Sequence, residues 1–169
     1  MHAVAALALP AVEAFDLAIP AQVFGDRRQA GRYRFTVCSP APGLVAATTG
    51  YAVHAEHGLE ALAAADTVVV PGYLPLDDPG EEACSALRRA AARGARVVSV
   101  CTGAFALAAA GLLDNRRAAT HWQYADELAG RYPAVKVDPD VLWVDEGDVL
   151  TSAGLAGPAS GPWSTWPNR

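Results

Sequence analysis

The chain has 169 residues, enough to bury a real core in one domain and too few for separate cofactor and substrate lobes. Its composition, 52% hydrophobic and 18% charged, excludes a disordered or fibrous chain. A net charge of −5 with a pI near 5.2 argues against a surface that tracks phosphate backbones, so no direct nucleic-acid contact is expected. Residues 1–9 are apolar but lack a basic flank and run straight into Pro10 and Glu13, unlike a secretory signal. No apolar stretch reaches the roughly 18 to 20 residues of a membrane span, so a cytoplasmic protein without a membrane partner is expected. Cys38, Cys84 and Cys101 are spaced too irregularly for a disulfide framework or a zinc site, and His2, His54 and His57 show no ligand spacing. Reduced thiols, no metal and no cofactor follow as expectations.

In chain order, residues 3–9 form the first apolar run, a buried-strand signal, and residues 14–24 a helix. A strand over 33–38 with Phe35 and Val37 on one side is followed by a small hairpin over 45–55. A short helix over 59–64 precedes the strand T-V-V-V-P at 67–71. In the helix over 81–93, Cys84, Leu87 and Ala91 share one face. The run R-V-V-S-V-C at 96–101 is a further buried strand, and residues 104–113, apolar all round, form a helix buried against the sheet. A last helix over 122–131 leads to edge strands at 141–145 and 149–152. Strands alternating with helices imply parallel βαβ units. Cys38 and Cys84 read as core residues.

The stretch Ser99-Val100-Cys101-Thr102-Gly103 carries the chemistry. It lies where a buried strand meets a buried helix, with small residues two before and two after the cysteine. That is the pattern of a nucleophile elbow, where larger neighbours would collide with a strained turn. A thiol at a helix N-terminus has its anion favoured by the dipole, so its pKa is expected to fall from about 8.5 toward neutrality.

The elbow V-C-T-G-A-F-A-L-A-A-A-G-L-L, the preceding V-V-V-P-G, the early F-D-L-A-I-P-A-Q-V-F, T-H-W-Q-Y-A-D-E-L and D-P-D-V-L-W-V-D-E-G-D-V-L-T-S-A-G together resemble the ThiJ/PfpI superfamily of amidotransferase-like domains. Within it the chain is most similar to the N-terminal domains of AraC-type transcriptional regulators, and next to isonitrile hydratase. The resemblance implies a flavodoxin-like three-layer α/β sandwich with a central, mostly parallel sheet, and a homodimer. It makes Cys101 the reactive cysteine and Asp16 the acidic residue beside its sulfur. A carboxyl there would hold a raised pKa and donate a hydrogen bond to the thiolate; the other reading of Asp16 is a helix first-turn residue. Gly72 matches the glycine whose N–H would join that of Thr102 in an oxyanion site, with Tyr73 at the pocket mouth where many members carry a second glycine. Thr102 stands where protease-like and glyoxalase-like branches place histidine. His121 either lines the same pocket, beside Gly103, or caps the helix that follows it. Asp138 and Asp140 read as turn carboxylates.

Two functions follow from the resemblance. One is a ligand-sensing domain that binds a small molecule and signals to a helix-turn-helix domain lacking in this chain. The other is a metal-independent enzyme in which Cys101 attacks an electrophilic carbon. The domain is expected to span residues 1–154 and to be incomplete at its C-terminal side. Residues 155–169, interrupted by Pro158, Pro162 and Pro167, are expected to form an irregular tail, out of frame or truncated.

Overall fold

The computed structural model describes residues 1–26 and 31–154. The first half comprises β1 (His2–Leu7), α1 (Ala14–Phe24), β2 (Tyr33–Cys38), the antiparallel hairpin of β3 (Gly43–Ala46) and β4 (Ala52–Ala55), α2 (Glu60–Ala63) and β5 (Thr67–Val70). The second comprises α3 (Glu81–Ala92), β6 (Arg96–Val100), α4 (Ala104–Ala109), β7 (Arg117–Ala118), α5 (Ala125–Arg131), β8 (Lys136–Val137), β9 (Trp143–Asp145) and β10 (Val149–Ser152).

Six strands form one sheet in the order β2-β1-β5-β6-β10-β9, parallel throughout except for β9, which runs antiparallel to β10 at the edge. Strand periodicity divides the side chains between two cores. Val68, Val70 and Val97 face α3, α4 and α5, where Leu87, Phe105, Leu107 and Leu128 are buried. Val69, Val98 and Val100 face α1 with Val4 and Phe24. Because both faces are covered, the central strands read as continuous apolar runs instead of alternating ones. The result is the helix, sheet and helix sandwich that the βαβ pattern implies, with each large buried side chain contributing roughly 1.5 to 3 kcal/mol.

Several boundaries differ from the sequence reading. The helix expected over 104–113 ends at Ala109; Gly111, in the left-handed region at φ +75°, turns the chain away. The helix expected over 122–131 opens with a tighter turn at Trp122–Tyr124, capped by His121, before α5. The edge strand expected from residue 141 begins at Trp143. The two-residue strands β7 and β8 pair with each other outside the main sheet and were not anticipated. The expected irregular tail, 155–169, lies outside the described residues.

Candidate functional site

The loops after β1, β5, β6 and β10 meet at the carboxyl end of the sheet, the edge where parallel α/β sheets place their ligands. Cys101 follows directly on β6, and its backbone adopts φ +56°, a left-handed conformation that costs a non-glycine residue on the order of 1 to 3 kcal/mol. Close packing holds it there. A Cβ on Gly103 would run into the Val70 carbonyl oxygen, and one on Gly154, itself at φ +69°, would strike the Cys101 Cβ. The Thr120 hydroxyl donates to the Cys101 carbonyl at 3.0 Å, and the Ser152 hydroxyl donates to the Ser99 carbonyl at 3.2 Å.

Asp16, in the first turn of α1, is fully buried. Its Oδ2 accepts the Gly72 N–H at 3.2 Å, while Oδ1 has no well-aligned donor. The Cys101 thiol lies against the same carboxyl. Burial raises the Asp16 pKa to about 6, opposed by the Gly72 N–H and the thiol and reinforced by the charge of Glu13. Thus the carboxyl titrates near neutrality, where a proton acceptor is most useful. Burial also pushes the Cys101 thiol up to about 12, and the negative charge of Asp16 adds to it; a hydrogen bond from the Thr102 backbone N–H acts the other way without prevailing.

This arrangement keeps the expected rise of the Asp16 pKa and reverses the expected fall of the thiol's. The sequence reading has a lowered thiol and a protonated carboxyl that donates to a thiolate. In the folded site desolvation outweighs the helix terminus, partly because the turn at Cys101 leads into a helix of only six residues. The proton therefore resides on sulfur, which presents it to the carboxylate.

Some other residues also take roles different from those expected, whereas His121 takes the second of its two expected readings and Cys38 and Cys84 lie in the core as expected. The Gly72 N–H is committed to Asp16 instead of standing free beside the Thr102 N–H. What requires glycine at 72 is proximity, since a Cβ would come within 2.5 Å of Asp16 Oδ2 and 2.9 Å of Thr102 Oγ1. The Thr102 hydroxyl accepts the Tyr73 N–H at 3.0 Å and donates to the Tyr73 carbonyl at 3.1 Å, so it fastens the β5 loop to the turn after β6. Tyr73 does not stand at a pocket mouth: its side chain is 2% exposed in the main core and its hydroxyl donates to the Asp77 carbonyl. Gly103 serves close packing. The His121 ring accepts the Gln123 N–H on Nδ1 and stacks on Trp122, which is the capping role; no described contact joins it to Cys101. Cys38 and Cys84 are buried, with both thiols raised by desolvation.

Sequence reasoning missed three contributors. Thr120 is separated from Cys101 by α4 and β7, and Gly154 reaches it only because β10 pairs with β6. Glu13, just before α1, sends its N–H to the Gly72 carbonyl at 2.7 Å and places a second negative charge on both Asp16 and Cys101. Its place three residues ahead of Asp16 was the only available signal. Among the described residues no group of three His, Cys, Asp or Glu side chains could hold a metal, and no helix is long and apolar enough to cross a membrane.

The model of the DJ-1/PfpI family matches residues 2–159, and the chain belongs to that family. An uncharacterized protein in the cpoL 5' region of Streptomyces lividans is 42% identical over 79% of this chain and 96% of its own length. The HTH-type transcriptional regulator CdhR of Pseudomonas aeruginosa is 36% identical over 76% of the chain, which spans 38% of that regulator. The isonitrile hydratase of Pseudomonas putida is 36% identical over 66% of the chain and 48% of the enzyme. An AraC family transcriptional regulator from Pseudomonas putida superimposes with a TM-score of 0.78 at 24% identity, over 91% of this chain and 84% of that one, which establishes the shared fold.

Proposed function

We propose that this chain is a ligand-sensing domain of the kind attached to AraC-type regulators, in which a small molecule docks at the Cys101–Asp16 pair. One observation carries the reading: the Gly72 N–H, the group that would hold an oxyanion, is already bonded to Asp16. The burial that pushes the thiol up agrees with it. A site that recognises without turning over needs neither a free oxyanion donor nor a standing thiolate. The orphan Oδ1 of Asp16 offers a buried acceptor to a ligand N–H or O–H. A homodimer belongs to the same proposal, with exposed Phe15, Leu44 and Tyr51 as apolar surface for a second copy to cover.

The second reading, a hydratase acting on isonitriles, is favoured by the Asp16 pKa near neutrality. Sulfur would attack the isonitrile carbon while its proton passes to Asp16 and then to that same carbon, giving a thioimidate. Water would add to the thioimidate and expel the thiol, leaving a formamide. Incubation with an alkyl isonitrile separates the two. Sensing predicts no formamide above a Cys101→Ala control, whereas turnover abolished by Cys101→Ala would replace the sensing proposal with the enzymatic one.

A further inference from the structure

The opposite end of the sheet holds a cleft of about 690 Å³ that the sensing site does not use. It opens where β1, β2, β5 and β6 begin, and Arg32, Arg93 and Arg96 line it with His2. Asp66 is the one carboxylate in the lining, and its Oδ2 accepts the Ala3 N–H at 2.8 Å. The guanidiniums of Arg32 and Arg93 face this single carboxylate, which leaves the cleft positive on a chain whose net charge is −5.

Two of its groups are held in place before any ligand arrives. The Arg93 Nη2 donates to the Leu62 carbonyl at 3.1 Å and to the Ala65 carbonyl at 2.6 Å, which fixes the guanidinium; among the described residues Nη1 and Nε have no hydrogen-bond partner. The His2 Nε2 lies 2.9 Å from the hydroxyl of the fully buried Thr67, which orients the ring. Arg32, in the same lining, is exposed and has no ion-pair or hydrogen-bond partner on its side chain among the described residues. A fixed guanidinium such as that of Arg93 loses little entropy on binding, and both guanidiniums match the geometry of phosphate oxygens.

We propose that this cleft binds a small phosphomonoester, its dianion held between Arg32 and Arg93, at a site independent of Cys101. The volume accommodates a nucleoside monophosphate as well as a smaller phosphate ester. Calorimetric titration of the full chain with adenosine monophosphate, inorganic phosphate and a short DNA duplex tests the proposal, with Arg32→Glu and Arg96→Gln as variants. Saturable binding of the monophosphate, weakened about tenfold or more by Arg32→Glu and unchanged in Cys101→Ala, supports it. Binding of phosphate alone with the same dependence on Arg32 supports it too and narrows recognition to the phosphoryl group. The absence of binding to either small anion, affinity indifferent to both substitutions, or tighter binding of the duplex than of the monophosphate overturns it. Far-ultraviolet circular dichroism of the variants confirms that any loss arises in the cleft and not in the fold.

Discussion

The two ends of the central sheet handle polar groups in opposite ways. At the carboxyl end, Asp16, Thr102 and the Gly72 N–H are buried and turned upon one another, and close packing requires glycine at 72, 103 and 154. At the amino end, guanidiniums surround an open cleft, and Arg116 pairs with Asp148 at the surface. Both ends belong to the same strands, so the contrast comes from the residues the flanking loops carry, not from the sheet. Substitutions should accordingly cost stability at the carboxyl end and mainly affect ligand affinity at the amino end.

The largest expected effect tests the close packing. Gly103→Ala places a Cβ on the Val70 carbonyl oxygen and within 2.9 Å of the Pro71 carbonyl oxygen, where the neighbours are backbone and cannot yield. A loss of about 3 kcal/mol or more is expected in urea unfolding. A cost below about 1 kcal/mol would show that the turn at Cys101 is looser than the comparison requires.

Next is the buried carboxyl. Asp16 titrates near 6 when folded against about 3.8 when unfolded, so between those values the native state keeps a proton that the unfolded chain has released. Stability therefore falls as pH rises through about 4 to 6 and stays lower above that, by up to about 3 kcal/mol. Asp16→Asn retains an oxygen for the Gly72 N–H and has no proton to lose, so urea midpoints at pH 5 and pH 8 should differ less in the variant than in the parent. Because the Asp16 charge also raises the thiol, the same substitution should speed iodoacetamide labelling of Cys101 at pH 8 by about tenfold. Slower labelling would restore the picture of a carboxyl that donates to a thiolate.

A smaller effect is expected at Thr102. Thr102→Val keeps the shape and removes both hydrogen bonds to Tyr73, leaving a buried N–H and carbonyl unpaired. About 1 to 3 kcal/mol should be lost in thermal or urea unfolding, and Thr102→Ser should recover most of it.

What the sequence discloses follows the same division. Parallel strands were legible because burial on both faces leaves β-branched runs such as T-V-V-V and R-V-V-S-V with no more than a small hydroxyl inside them, and the turn at Cys101 was expected because strand, cysteine and small residues are contiguous. The two-residue strands β7 and β8 are too short to show any period. Gly154 and Thr120 touch Cys101 only through the order of strands in space, which spacing along the chain does not encode. Asp16 and Cys101 were named from their motifs, yet which of them keeps the proton depends on desolvation, and desolvation becomes visible only once the loops have closed over the pair.

The smallest effect concerns the amino end and decides whether the contrast holds. Arg116 and Asp148 form a two-pronged ion pair, with Nη1 on Oδ1 at 2.5 Å and Nη2 on Oδ2 at 3.2 Å, and their side chains are 34% and 57% exposed. Two-pronged geometry favours the pair, and it holds the Asp148 carboxyl below its ordinary range. Exposure acts against it, because water and salt screen the attraction and both side chains lose freedom. Screening prevails at this exposure, so Arg116→Ala should cost about 0.5 kcal/mol, and less in high salt. A loss above about 2 kcal/mol that persists in 1 M sodium chloride would mean that the amino end is also built on committed polar groups. The stability difference between the two ends of the sheet would then disappear.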